Sequence, residues 1–84
     1  MVEIVVYSTQ VCPYCVKAKQ LLSAKGATYK EIDISRDPVL VEEAQIRSGG
    51  RKTVPQIFIG DFHVGGCDEL YALDSEGKLD ELLK

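Results

Sequence analysis

Eighty-four residues, 45% hydrophobic and 27% charged, describe one small globular domain with no length for a second core. The formal net charge of −3, ten basic against thirteen acidic residues, argues against nucleic acid or an anionic membrane as the main partner. No stretch reaches the roughly 20 apolar residues of a membrane span, and three cysteines are too few for a disulfide scaffold.

Val2-Glu3-Ile4-Val5-Val6-Tyr7 is a β-branched run with little charge and predicts a strand buried on both faces. Cys12-Pro13-Tyr14-Cys15 follows and opens a helix that runs to about Lys25, where Gly26 supplies the stop. Tyr14, Cys15, Ala18, Leu21 and Leu22 fall on one helical face, with Lys17, Lys19, Gln20 and Ser23 mostly elsewhere. Thr28 to Ile34 alternates, Ile32 and Ile34 to one side and Glu31 and Asp33 to the other, as a second strand. Strand, helix and strand over ~30 residues form a βαβ unit, whose two strands run parallel through a right-handed crossover.

Asp37-Pro38 supplies the N-cap and first position of a second helix, and Gly49-Gly50 closes it. Val54-Pro55-Gln56-Ile57-Phe58-Ile59 then turns at Gly60-Asp61 into Phe62-His63-Val64, the pattern of an antiparallel hairpin. Gly65-Gly66 breaks the chain before a third helix from Cys67 to Leu73, with Leu70 and Leu73 inward. Leu79, Leu82 and Leu83 suggest a last short helix packed back on the sheet. There is no internal repeat, linker or low-complexity segment.

The chemistry concentrates in the two thiols one turn apart. A C-x-x-C beside a βαβ pattern reads as a thioredoxin-like redox motif. Pro13 suits the first helical position, where its missing N–H would be unpaired in any case. Cys12 then sits at the N-cap, where free N–H groups and the positive end of the helix dipole favour a thiolate, the attacking species in thiol–disulfide exchange. Cys15 lies in the first turn, close enough to close a ring with Cys12. A buried structural pair is the blander reading, but a turn with proline exposes Cys12. A zinc site would need two further ligands, which only Cys67 and His63 could supply, and no metal is expected. The N-terminal residues lack the basic and apolar regions of a signal peptide, so a reducing cytoplasm is the expected location.

Three blocks, Cys12-Pro13-Tyr14-Cys15, Thr53-Val54-Pro55 and Gly65-Gly66-Cys67-Asp68, in this order resemble the glutaredoxin family of the thioredoxin fold. The tail Asp68-Glu69-Leu70-Tyr71-Ala72-Leu73 is similar to that of the small bacterial dithiol members. The resemblance covers essentially residues 1–84 and implies a single α/β domain, βαβ–α–ββ–α, with a four-stranded mixed sheet flanked by helices. It implies a glutathione-dependent thiol–disulfide oxidoreductase with glutathione as co-substrate, no bound cofactor and a monomeric state. Its substrates would be glutathione mixed disulfides and protein disulfides such as that of ribonucleotide reductase. Cys12 would attack, leaving glutathione on its sulfur, and Cys15 would be the resolving thiol.

By the same resemblance, Tyr14 shapes the rim of a glutathione groove together with Thr53, and Pro55 is a cis proline. The backbone of Val54 pairs with the cysteine of glutathione, the positions of Cys67 and Asp68 hold its γ-glutamyl end, and Gly66 belongs to the same groove. Two of these have independent rationales. A proline at the start of a strand cannot donate to the sheet, and a helix N-terminus offers N–H donors to a carboxylate while Asp68 could pair with an ammonium.

One departure stands out: many relatives carry a lysine three residues before the first cysteine, where this chain has Thr9. Arg51 and Lys52 are the expected substitutes as carboxylate clamp, with Arg47 as a further candidate. Cys67 is expected to be a small filler whose backbone binds rather than a third redox thiol, and His63 an exposed strand residue. A preformed thiolate needs no histidine base. Glu42-Glu43 and Lys17 with Lys19 are expected on solvated helix faces. Two other functions fit the same motif. One is a glutaredoxin-like donor reduced by thioredoxin reductase, which Thr9 leaves room for and the second and third blocks oppose. The other is an iron–sulfur carrier holding a cluster between two chains, against which Pro13 counts.

Overall fold

The computed structural model describes residues 3–51 and 53–83, so Val2 and Lys52 lie outside the described residues. The first strand, β1, is Ile4–Ser8, and all five residues are buried. Its side chains alternate between two cores: Ile4 and Val6 serve one face of the sheet, Val5 and Tyr7 the other. That double burial is why the strand carries no polar alternation.

Helix α1 is Pro13–Ala24, strand β2 Lys30–Asp33, helix α2 Pro38–Arg47 and strand β3 Gln56–Ile59. Strand β4 is Phe62–Gly65, helix α3 Cys67–Ser75 and the short helix α4 Leu79–Leu82. The sheet order is β2-β1-β3-β4, with β1 parallel to β2 and β3 antiparallel to both β1 and β4. β2 is shorter than the predicted Thr28–Ile34 and is an edge strand, so its charged residues stay in solvent while Ile34, just past its end, is buried. β3 starts at Gln56 rather than Val54: the Val54–Pro55 peptide is cis, and Pro55 has no N–H for the ladder. In the hairpin Phe58 pairs with His63 and Ile57 with Gly65, leaving Val64 as an extra residue and carrying the strand on to Gly65.

The helix ends follow the local chemistry. The Asp37 carboxylate accepts the N–H groups of Val39 at 3.0 Å and Leu40 at 3.4 Å, a cap of the kind that contributes about 1 kcal/mol. Val6, Ala18, Leu22, Ile57, Leu70 and Leu79 are fully buried between the sheet and α1, α3 and α4. Each of the leucines there contributes roughly 1.5–3 kcal/mol by leaving water. Leu79 is how α4 packs back on the sheet, with Leu73, Leu82 and Leu83 half-buried around the same core. No helix of the described residues is long and apolar enough to cross a membrane.

On the opposite face α2 covers Val5, Tyr7, Ile34 and Phe58. The Tyr7 hydroxyl donates to Glu43 at 2.8 Å and accepts from Arg47 at 2.7 Å, and the Arg47 guanidinium lies 4.3 Å from the Phe58 ring centre. Burial, ahead of these partners, pushes the Tyr7 phenol above its ordinary pKa. Arg47 and Glu43 thus fasten α2 to the sheet rather than standing free. Lys19 is also engaged: its Nζ lies 2.8 Å from Glu31 Oε2, which the Ser8 hydroxyl donates to at 2.6 Å. Lys17 and Glu42 are exposed as expected.

Candidate active site

Cys12 occupies the N-cap of α1 in an extended conformation, φ −151° and ψ 100°, and Pro13 is the first helical residue. The Cys12 Sγ accepts the Cys15 backbone N–H at 3.2 Å, and its thiol donates toward the Val54 carbonyl at 3.8 Å. Cys12 is half-buried, whereas Cys15 is 1% exposed on the face it shares with Ala18 and Leu22. Burial first, and then the hydrogen bond to Cys12, push the Cys15 thiol from its ordinary 9.0 up to about 12; the Thr9 backbone and Lys19 pull weakly the other way. The arrangement is one accessible sulfur at a helix cap, backed by a second sulfur that holds its proton. Of the two, the less buried Cys12 sulfur is the one a substrate sulfur can reach.

Beside Cys12 runs a groove of about 230 Å³. Tyr14, Thr53, Val54, Pro55, Gly66, Cys67 and Asp68 all line it, joined by Arg51 and Glu69. Cys12 meets the groove through the Val54 carbonyl. Tyr14 is 59% exposed, so it leaves the apolar face of α1 and stands at the rim. Cys67, the first residue of α3, is buried; desolvation, then the Asp68 charge, raises its thiol pKa. Arg47 is not among the lining residues, being held by Tyr7 and Phe58. Thr9 is half-buried beyond the end of β1.

Two residues that the sequence reading passed over shape this site. Gln56 is 1% exposed, and its Nε2 donates to the Thr53 carbonyl at 2.9 Å and hydroxyl at 3.1 Å. Its Oε1 therefore faces His63, whose Nε2 is 2.8 Å away and must be the donor. His63 stacks on Phe58 with ring centres 4.7 Å apart, and burial, ahead of Arg51, lowers its pKa. It is a half-buried partner of Gln56, not the exposed strand residue expected. The available signal was a lone amide inside the apolar run Val54–Ile59.

Glu69 is the second. Its Oε1 accepts the Gly66 N–H at 2.7 Å and lies 2.9 Å from Arg51 Nη1. The Gly66 N–H first, and Arg51 second among the stabilising partners, hold its carboxyl below the usual range. The signal was its place three residues after the N-cap Gly66, where a glutamate reaches back to a free N–H. Gly65 makes room for this contact: at φ +110°, a Cβ there would stand 2.5 Å from Glu69 Oε1 and 2.9 Å from Arg51 Nη1. Among the described residues no group of three or more His, Cys, Asp or Glu side chains is placed to hold a metal ion.

Comparison with known proteins agrees with this geometry. The family model described as Glutaredoxin matches residues 4–64. Glutaredoxin 3 of Escherichia coli is 51% identical over 84 residues, covering 100% of both chains. The solution structure of a glutaredoxin from Brucella melitensis superposes with a TM-score of 0.88 at 61% identity, over 100% of this chain and 90% of the other. The crystal structure of a buckwheat glutaredoxin–glutathione complex superposes with a TM-score of 0.86 at 34% identity, over 98% of this chain and 76% of that one. The four-stranded mixed sheet with its flanking helices is thus the thioredoxin fold, and the chain belongs to the glutaredoxin family of thiol–disulfide oxidoreductases.

Proposed function

We propose that the chain reduces glutathione mixed disulfides, and protein disulfides, with glutathione as the electron donor. The observation that supports this most is the placing of Cys12 beside a groove lined by all seven residues of the resemblance-derived binding set. The buckwheat relative, solved as a glutathione complex, supports glutathione as the occupant.

In this reading the Cys12 thiolate attacks the glutathione sulfur of a mixed disulfide. The S–S bond breaks, the target sulfur leaves as a thiolate and takes a proton from water, and glutathione remains on Cys12. The Val54 backbone carries its cysteine, the backbone N–H groups of Cys67 and Asp68 at the start of α3 its γ-glutamyl carboxylate, and the Asp68 side chain its ammonium. A second glutathione thiolate then attacks the bound glutathione sulfur, releasing glutathione disulfide and restoring Cys12. Alternatively Cys15 gives its proton to water and its thiolate attacks the Cys12 sulfur; the Cys12–glutathione S–S bond breaks, glutathione leaves as a thiolate that takes a proton from water, and a Cys12–Cys15 disulfide closes. Once Cys12 carries glutathione it holds no charge, which removes the Cys12 contributions to the raised Cys15 pKa and leaves mainly burial. A reducing cytoplasm would supply the donor.

The test is glutathione-driven deglutathionylation of a model peptide by wild type and Cys15→Ser. Retained or raised activity in Cys15→Ser assigns that reaction to Cys12 alone, with Cys15 reserved for protein disulfides. Absence of glutathione-dependent turnover in both proteins rejects the reading and brings reduction by thioredoxin reductase forward.

A further inference from the structure

The groove carries its own carboxylate on its own cation. Among the described lining residues the charged side chains are Arg51, Asp68 and Glu69, so Arg51 is the one cation there. Its Nη1 rests 2.9 Å from Glu69 Oε1, with both side chains 43% exposed, so no burial locks the pair. The same oxygen is fixed by the Gly66 N–H at 2.7 Å. Free Arg51 therefore already holds what an incoming carboxylate would offer, and glutathione brings two carboxylates against a single ammonium.

We propose that Glu69 competes with a carboxylate of bound glutathione for Arg51 and so sets how tightly the groove holds its substrate. This rests on the reading of the groove as a glutathione site. Substrate binding exchanges one ion pair for another: Arg51 moves from Glu69 to the ligand, while Glu69 keeps its bond to the Gly66 N–H. A half-exposed pair of this kind is weak, so the exchange changes affinity by a few-fold rather than by orders of magnitude. The consequence is a groove that holds glutathione loosely enough to release it on each turnover.

The experiment uses the full chain as wild type, Glu69→Gln, Arg51→Gln and the double variant. The readouts are KM for the glutathionylated peptide in deglutathionylation and the Kd of unreactive S-methylglutathione by NMR titration, each at low and high salt. Glutamine keeps an oxygen for the Gly66 N–H and removes only the charge. Glu69→Gln is expected to lower both constants about two- to fivefold at low salt, with less change at high salt. In the Arg51→Gln background the same substitution is expected to change neither. Weaker or unchanged binding in Glu69→Gln, or tightening that persists without Arg51, overturns the proposal and leaves Glu69 as a helix cap. If wild type itself fails to bind S-methylglutathione, the glutathione reading falls and this inference falls with it, a result read before any variant is compared. Unfolding midpoints of the four proteins identify any variant that has lost its fold.

Discussion

The raised pKa of Cys15 makes the stability of the fold fall at alkaline pH. In the unfolded chain its thiol loses its proton near 9.0, while in the folded chain it keeps it to about 12. Between those values the unfolded state binds fewer protons than the folded state, so stability falls as pH rises. Below pH 9 both states are protonated and the contribution is fully present; above about 12 it is gone. Each pH unit inside the window is worth about 1.4 kcal/mol, so between pH 8 and 11 Cys15 alone should remove about 2–3 kcal/mol. The assay is urea unfolding at pH 7 to 11 of reduced wild type and Cys15→Ala. Tyr7 and Cys67 also have raised pKa values and contribute alkaline slopes of the same sign, but they are present in both proteins. The quantity to follow is therefore the difference between the two proteins, in which any constant packing loss at residue 15 becomes a fixed offset. A difference that stays flat from pH 8 to 11 would refute the claim that burial holds the proton on Cys15. The same result would remove the reason for assigning first attack to Cys12 alone.

Gly65→Ala should destabilise the chain by about 2–4 kcal/mol, combining a side chain forced to positive φ with loss of the hydrogen bond to Gly66. With a Cβ 2.5 Å from Glu69 Oε1 that bond is already displaced, so Glu69→Ala should cost less in the Gly65→Ala background than in wild type in urea unfolding; equal costs would argue against it. Thr9→Lys should lower KM for the glutathionylated peptide about two- to fivefold at low salt by adding a cation three residues before Cys12, with the gain fading at high salt. An unchanged KM would mean that the absent lysine is of no consequence here.

What could be read from the sequence was mostly what local chemistry decides. Pro13 and Pro38, each after a capping residue, mark the starts of α1 and α2 because the first helical turn needs no N–H from them. Strand ends were less legible, since they depend on neighbours: β2 shortens because it is an edge, and β3 because Pro55 precedes it. Tyr14 has helical spacing with Cys15 and Ala18, yet it leaves the core because at that end of α1 a groove, not the sheet, lies beside it. The meeting of Arg51, Thr53, Val54 and Pro55 with Gly66, Cys67, Asp68 and Glu69 is a tertiary event that no periodicity reveals; only the resemblance pointed to it. Gln56 takes its role from His63 across the hairpin; the capping position of Glu69 is legible in the sequence, but its ion pair with Arg51 is a tertiary contact that is not.

The proposed division of labour between the two thiols has its geometry in counting along one turn. With Cys12 as N-cap, Cys15 is the third helical residue, whose N–H is the one that a capping side chain satisfies. The Cys12 sulfur does what a serine oxygen does at other helices, and the cap bond itself brings Sγ to 3.2 Å from the Cys15 nitrogen. That same third position shares a face with Ala18 and Leu22, the buried stripe of α1, so Cys15 is drawn into the core by the packing that stabilises the helix. One more residue between the cysteines would move the second thiol by about 100° around the helix, off the stripe and away from the cap. Two intervening residues therefore satisfy the cap, the core and the ring closure together, and Pro13, which needs no N–H partner, holds the first of them in helical conformation.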